Sequence, residues 1–139
     1  MLIVARDRSY PELLSSVDGK RIHIWTCNTC ARLCGKIGGK DSANILMNKL
    51  KANGIDVIGV SYVSASCIMP IVESKRNEIP NEEITILALT CNIGAKCVKD
   101  AFNKKVLNPI KTLGPGYIDS SGKAILFNSA ENISEMSQF

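Results

Sequence analysis

The segment Ile84-Thr85-Ile86-Leu87-Ala88-Leu89 constrains the fold more than any other stretch of this chain. It is almost wholly apolar on both faces that a strand presents, so it must be covered on both, and strands buried in that way belong to the parallel sheets of α/β proteins. Two runs of strand composition precede it. Arg21-Ile22-His23-Ile24-Trp25-Thr26 is rich in β-branched and aromatic residues, follows the turn signal Asp18-Gly19, and stops at Cys27. Ile55-Asp56-Val57-Ile58-Gly59-Val60 is the second. Between them, residues 41–53 place Ile45, Leu46, Lys49, Leu50 and Asn53 at helical spacing ahead of the stop signal Gly54, which predicts a helix with one buried stripe. Ser66 is placed to cap a short helix from Cys67 to about Lys75, with Pro70 tolerated in its first turn. A helix over residues 94–103 and a short strand at Val106-Leu107 complete a β-α-β-α-β-α-β order. That order predicts an α/β, Rossmann/flavodoxin-like fold of about four parallel strands with helices on both faces.

The 139 residues suit a single α/β domain, and the chain is long enough to remove about two-thirds of its unfolded surface from water without covalent staples. Residues 1–20 read as an N-terminal helical extension with a helix from Tyr10 to Val17. The stretch Gly116 to Phe127 reads as a small C-terminal hairpin, and 128–139 as a polar tail that frays or forms a short helix. The start lacks a basic region ahead of a long apolar core, and no apolar run approaches the roughly 18 residues of a membrane span. A cytoplasmic protein with no membrane span is expected. The net charge is +4, with lysines at Lys96, Lys99, Lys104, Lys105, Lys111 and Lys123. Without interleaved aromatics or an arginine cluster, these describe a solvated face or a docking face for an acidic protein, and no nucleic acid partner is expected.

Six cysteines then need a purpose. In a reducing compartment, clustered cysteines are more often metal ligands or redox thiols than structural disulfides. Cys27 ends the first predicted strand, Cys67 follows the second, and Cys91 ends the third, so all three fall past the carboxyl ends of parallel strands, where open α/β sheets bind ligands. Cys30 and Cys34 sit in the loop leaving the first strand and reach the same crevice. Cys97 lies about one and a half turns into the third helix, where a small buried hydrophobe explains it as well as a ligand does.

The spacing Cys27-x2-Cys30-x3-Cys34 suits a tight loop with sulfurs aimed at a common centre. Gly35, Gly38 and Gly39 behind it are candidates to offer backbone N–H groups to cluster sulfides. A [4Fe–4S] cluster takes four thiolates and is the first expectation. Zinc, which also accepts four cysteines, is the alternative; the second C-x2-C of a zinc ribbon is absent. Thiol–disulfide chemistry comes third, since it leaves Cys67 and Cys91 without a role.

Other chemistry finds little support. Gly39-Lys40 resembles the end of a phosphate loop, but Cys34 stands at the earlier glycine position and Asp41 replaces the magnesium-binding hydroxyl. His23, the one histidine, lies mid-strand and reads as a core or surface residue. No Ser-His-Asp set or paired acid and base is visible, so no catalytic residues are assigned.

The series Cys27-Asn28-Thr29-Cys30-Ala31-Arg32-Leu33-Cys34-Gly35, then Gly38-Gly39-Lys40, then Cys67, then Leu89-Thr90-Cys91-Asn92-Ile93-Gly94 resembles the amino-terminal cysteine domain of the small subunit of acetogen-type methylenetetrahydrofolate reductase (MetV). The stretch from Asn103 to Gly114 resembles that family's segment after the third helix. The resemblance implies a non-catalytic iron–sulfur electron-transfer or scaffold subunit, with zinc also assigned in the family. Its partner would be a flavin-containing reductase subunit or other redox protein of tetrahydrofolate one-carbon metabolism, in a hetero-oligomer. Metal-ligand candidacy carries over to Cys27, Cys30, Cys34, Cys67 and Cys91, of which four would ligate. Cys97 departs from the pattern, and the family's second cysteine-rich half has no counterpart in these residues. The small subunit of hydrogenases coupled to heterodisulfide reductase, with its [2Fe–2S] centre, has a similar plan of cysteines after strands, and Cys91-x5-Cys97 is similar to its final pair.

Overall fold

The computed structural model describes residues 2–7, 9–35 and 37–127, so the reading of 128–139 lies outside the described residues. Four strands form the expected parallel sheet: β2 (Arg21–Cys27), β3 (Asp56–Val63), β4 (Thr85–Leu89) and β5 (Lys105–Leu107), in the spatial order β3-β2-β4-β5. That is the flavodoxin-like order, with its topological switch point between β2 and β4. All five residues of β4 are buried, as its apolar composition requires of a strand covered on both faces.

Helices cover both sides. On one, α1 (Tyr10–Val17) and α3 (Lys40–Ala52) bring Leu13, Val17, Ala43 and Leu50 against Ile22 and Ile24 of β2 and Leu87 and Leu89 of β4. On the other, α4 (Met69–Glu73) and α5 (Asn92–Phe102) bring Val72, Val98 and Phe102 against Trp25, Val63 and Ile86. The period of two in β2 therefore divides its residues cleanly. Ile22, Ile24 and Thr26 belong to the first side, while His23, Trp25 and Cys27 belong to the second.

Three local expectations are revised. The buried stripe of α3 is Ala43 and Leu50, with Leu46 and Met47 partly covered, while Ile45 is 69% exposed. Ser66 does not cap α4: the helix begins two residues later than expected, its N-cap is Ile68, and no side chain caps it. The first twenty residues are not only helical, because β1 (Leu2–Asp7) precedes α1. It pairs antiparallel with β6 (Ile110–Ile118), which pairs in turn with β7 (Ala124–Leu126), so the expected hairpin is two strands of a second, three-stranded sheet. The turn between β6 and β7 is held by Asp119, whose Oδ1 accepts from the backbone N–H groups of Ser121 (2.9 Å) and Lys123 (3.0 Å). Those donors hold the Asp119 carboxyl below its usual range, the Ser121 hydroxyl contributing most.

Candidate metal centre

The carboxyl edge of the parallel sheet carries the thiols. Cys27 is the last residue of β2, Cys67 lies in the loop after β3, and Cys91 is the N-cap of α5 directly after β4. Cys30 and Cys34 bracket the short helix α2 (Cys30–Leu33) in the loop that leaves β2. None of the six cysteines is in a disulfide. Cys27 and Cys34 are buried, Cys67 is exposed, and Cys30, Cys91 and Cys97 are intermediate.

The loop after β2 is shaped by close contacts at the switch point. Gly38 fits because it has no side chain: a Cβ there would lie 2.5 Å from the Ala31 Cβ and 3.0 Å from the Leu89 carbonyl oxygen. Thr26, the last residue of β2 on the α3 side, accepts a bond from the Gly39 N–H at 2.7 Å. The Lys40 N–H donates to Asn28 Oδ1 at 3.0 Å. The remaining glycine amides are also turned inward, Gly38 N–H to the Ala31 carbonyl (3.0 Å) and Gly35 N–H to the Leu33 carbonyl (3.2 Å). In this conformation all three glycines that were candidates to bind sulfides spend their N–H groups on the loop or on the strand it leaves.

A second set of contacts draws the loop after β3 onto α5. Ser66 is buried; its hydroxyl accepts from Trp25 Nε1 at 3.0 Å and donates to the Gly94 carbonyl at 3.0 Å. A buried indole N–H left unpaired is costly, and satisfying it takes precedence over capping a five-residue helix. Gly94 permits the approach, because a Cβ there would sit 3.0 Å from the Ser66 Cβ and 2.9 Å from the Thr90 Cβ. On α5, Cys91 and Cys97 are the neighbours of Gly94 one turn before and one turn after it. Cys67, next to Ser66, is thus carried toward both. Burial raises the Cys97 thiol above its ordinary value, and the charges of Cys67, Asp100 and Cys91 push in the same direction. The least expected of the six cysteines therefore has Cys67 and Cys91 as electrostatic neighbours.

The N-terminus of α5 takes its cap from another strand. Cys91 makes no side-chain cap; instead the Asn92 N–H donates to Thr112 Oγ1 of β6 at 2.8 Å. Cys27 is held at the other side of the edge, its Sγ 3.9 Å from the Ser64 carbonyl, to which the Thr29 hydroxyl also donates.

In kind the donors fit a thiolate-bound metal, since six sulfurs lie on or near one sheet edge and none is consumed in a disulfide. In spacing, no three His, Cys, Asp or Glu among the described residues are gathered so as to hold a metal ion in this conformation. Cys67 is the one exposed thiol of the six.

One polar network was not visible in the sequence. His23, 4% exposed, faces Ser61 across the β2–β3 pair, with Nε2 and Oγ 2.8 Å apart, and the Ser61 hydroxyl donates to Glu78 Oε1 at 2.7 Å. Glu78 belongs to a 3-10 turn over Arg76–Glu78. The alternation of residues 21–27 was its only signal: a histidine on the face that carries Trp25 must find a partner when buried.

The fold and the edge together define an α/β domain with cysteines clustered at the carboxyl edge of its parallel sheet. The chain matches no family model, no curated protein and no solved structure. No helix among the described residues is long and apolar enough to cross a membrane.

Proposed function

We propose that this chain is a non-catalytic iron–sulfur subunit, passing electrons to or stabilising a flavin-containing reductase subunit in a methylenetetrahydrofolate reductase-like complex of one-carbon metabolism. One observation carries the reading. Cys27, Cys30, Cys34, Cys67 and Cys91 all fall past the carboxyl ends of three neighbouring parallel strands, at the switch point and beside it. Four thiolates from this group would hold a [4Fe–4S] cluster, which supplies one-electron exchange when bound. The protein's own part is to position the donors through the Trp25–Ser66–Gly94 bridge and the glycine-packed loop after β2. Resemblance of the cysteine segments supports the choice of partner class. Exposed Leu33, Ile68 and Ile93, adjoining Cys34, Cys67 and Asn92, supply apolar surface near the thiols for a subunit contact.

Anaerobic purification with iron, sulfide and zinc analysis tests the reading directly. Iron and acid-labile sulfide in equal amounts, with broad visible absorbance, are expected. A colourless protein with stoichiometric zinc overturns it in favour of a structural zinc module. Single Cys→Ser changes at all six positions should then abolish metal binding at four and spare it at two; full retention in both Cys67→Ser and Cys91→Ser overturns the strand-end placement.

A further inference from the structure

We propose that His23, Ser61 and Glu78 form an acid-sensitive latch that fastens the 3-10 turn of the β3–β4 connection to the sheet and releases it when His23 takes up a proton. The inference is independent of any metal. It starts from the chain path. The connection from Ser64 to Ile84 carries Cys67, α4 and the 3-10 turn; besides the exposed Arg21–Glu82 pair at its end and the Arg76 bond to α5, two hydrogen-bonded bridges through the buried serines Ser66 and Ser61 fasten it to the second side of the sheet. Near its start, Ser66 is bonded to Trp25. At the 3-10 turn, Glu78 is bonded to Ser61, which faces His23. His23 and Trp25 are two residues apart on one face of β2, so one strand face fastens both places.

The direction of the hydrogen bonds follows from the carboxylate. Ionised Glu78 can only accept, so the single hydroxyl proton of Ser61 points to it, and the Ser61 oxygen must then accept from His23 Nε2–H. The neutral ring therefore carries its proton on Nε2. Its other nitrogen, Nδ1, lies beside Gly59, where a Cβ would come within 3.0 Å, so the ring fills the space over that glycine. A second proton must go to Nδ1 and would place a full charge on a side chain only 4% exposed.

The surroundings offer little to stabilise that charge. Glu78 is the charged group acting on the ring, and it acts through the intervening hydroxyl. Lys75, just after α4, is paired with Glu78 at 3.1 Å and draws on the same carboxylate. Arg76 is turned away to α5, where its guanidinium donates to the Ala101 carbonyl at 3.0 Å. β3 contributes Ser61 and Gly59, β4 contributes Ile86, and Val72 of α4 and Val98 and Phe102 of α5 pack the same side without charge. Burial accordingly outweighs Glu78 and holds the imidazole below its ordinary value of 6.5. Protonation then favours conformations in which the ring reaches water, and those require Ser61 and Glu78 to part. The segment set free includes α4 and adjoins Cys67.

Hydrogen exchange of the intact protein at pH 7.5 and 5.5, corrected for intrinsic rates, reads the latch. Amides of residues 71–79 should lose protection at the lower pH while those of β4 keep theirs. Glu78→Ala, at an exposed position, removes the acceptor of the Ser61 hydroxyl and should loosen the same residues already at pH 7.5. His23→Gln should remove the difference between the two pH values. Equal protection of residues 71–79 at both pH values in the unaltered protein overturns the proposal. So does an NMR titration in which the His23 ring protonates at or above 6.5.

Discussion

Gly38 is the residue on which the loop after β2 most depends. An alanine methyl would have to enter space bounded by the Ala31 Cβ at 2.5 Å and the Leu89 carbonyl at 3.0 Å, neither of which is the movable end of a long side chain. Gly38→Ala should cost about 1–3 kcal/mol, the range for forced overpacking, seen as a lower urea midpoint at unchanged slope. Gly94→Ala meets the Ser66 and Thr90 Cβ atoms and should behave similarly. His23 makes a different kind of prediction. Its native value lies below 6.5, so the unfolded chain binds its proton first as pH falls. Stability is therefore full above 6.5 and declines as pH drops below it toward the native value. Glu78, held below 4.5 mainly by the Ser61 hydroxyl, adds a loss in the same direction only at lower pH. Because His23 is the one histidine, thermal midpoints between pH 7 and 5.5 should fall in the unaltered protein and flatten in His23→Gln. The strand bearing His23 was legible in the sequence, although a mid-strand histidine reads equally as a core or a surface residue. Its partners were not legible, because Ser61 and Glu78 reach it through the β2–β3 register and a turn with no local signature.

Elements tell a similar story. Run 84–89 was read as a strand because burial on both faces leaves a continuous apolar record, and 21–26 because of its β-branched and aromatic composition after a turn signal; these and 55–60 are strands, with β3 extending to Val63. Helix α3 was found by its period, but the face was displaced: Ala43 is fully buried, and its small side chain counted for little beside Ile45 in judging the stripe. Leu50→Ala should cost about 2–5 kcal/mol as a core truncation, whereas Ile45→Lys should stay within about 0.5 kcal/mol, the two being compared by chemical denaturation. Helix α5 shows why caps are hard to read. The Asn92 N–H finds its acceptor on Thr112, a residue of another strand, and sequence rules for caps look only next door. Thr112→Val keeps the shape and removes the acceptor. It should cost about 0.5–2 kcal/mol, the usual worth of a cap, and fray the helix end that carries Cys91. Strand β1 went unread because its partner was hidden. β6 contains Gly114-Pro115-Gly116, which reads as a turn, yet it runs through the middle of its sheet. The pairing shifts register between Val4 and Ala5, opposite Gly114 and Thr112, so Leu113 is the extra residue of a bulge.

At the scale of the whole molecule, two sheets divide the work. The parallel sheet carries the buried cores on both its sides and ends at the thiols, while the antiparallel sheet closes on the N-terminal strand and, through Thr112, supports the helix behind Cys91. The candidate site was legible as far as covalent order allowed: cysteines at strand ends could be assigned to one edge once the parallel topology was assumed. The approach of Cys97 to Cys67 was not, because it depends on Ser66 of the loop after β3 meeting Gly94 of α5. This division predicts unequal opening. Amides of residues 22–26 and 85–87, paired on both sides within the parallel sheet, should exchange only through global unfolding, while those of β7, a three-residue edge strand, exchange by local fraying. The proposed metal at the carboxyl edge would bind the native state more tightly than the unfolded chain, and would add stability that grows with the logarithm of its free concentration over its dissociation constant. Its removal by a chelator under anaerobic conditions should lower the thermal midpoint and speed exchange in the loops after β2 and β3 and in the first turn of α5. The ranking of β2 and β4 above β7 should survive, because the cores on either side of the parallel sheet do not depend on the thiols. Equal midpoints with and without chelator in a protein shown to carry metal would mean that the centre rides on the fold without helping to hold it.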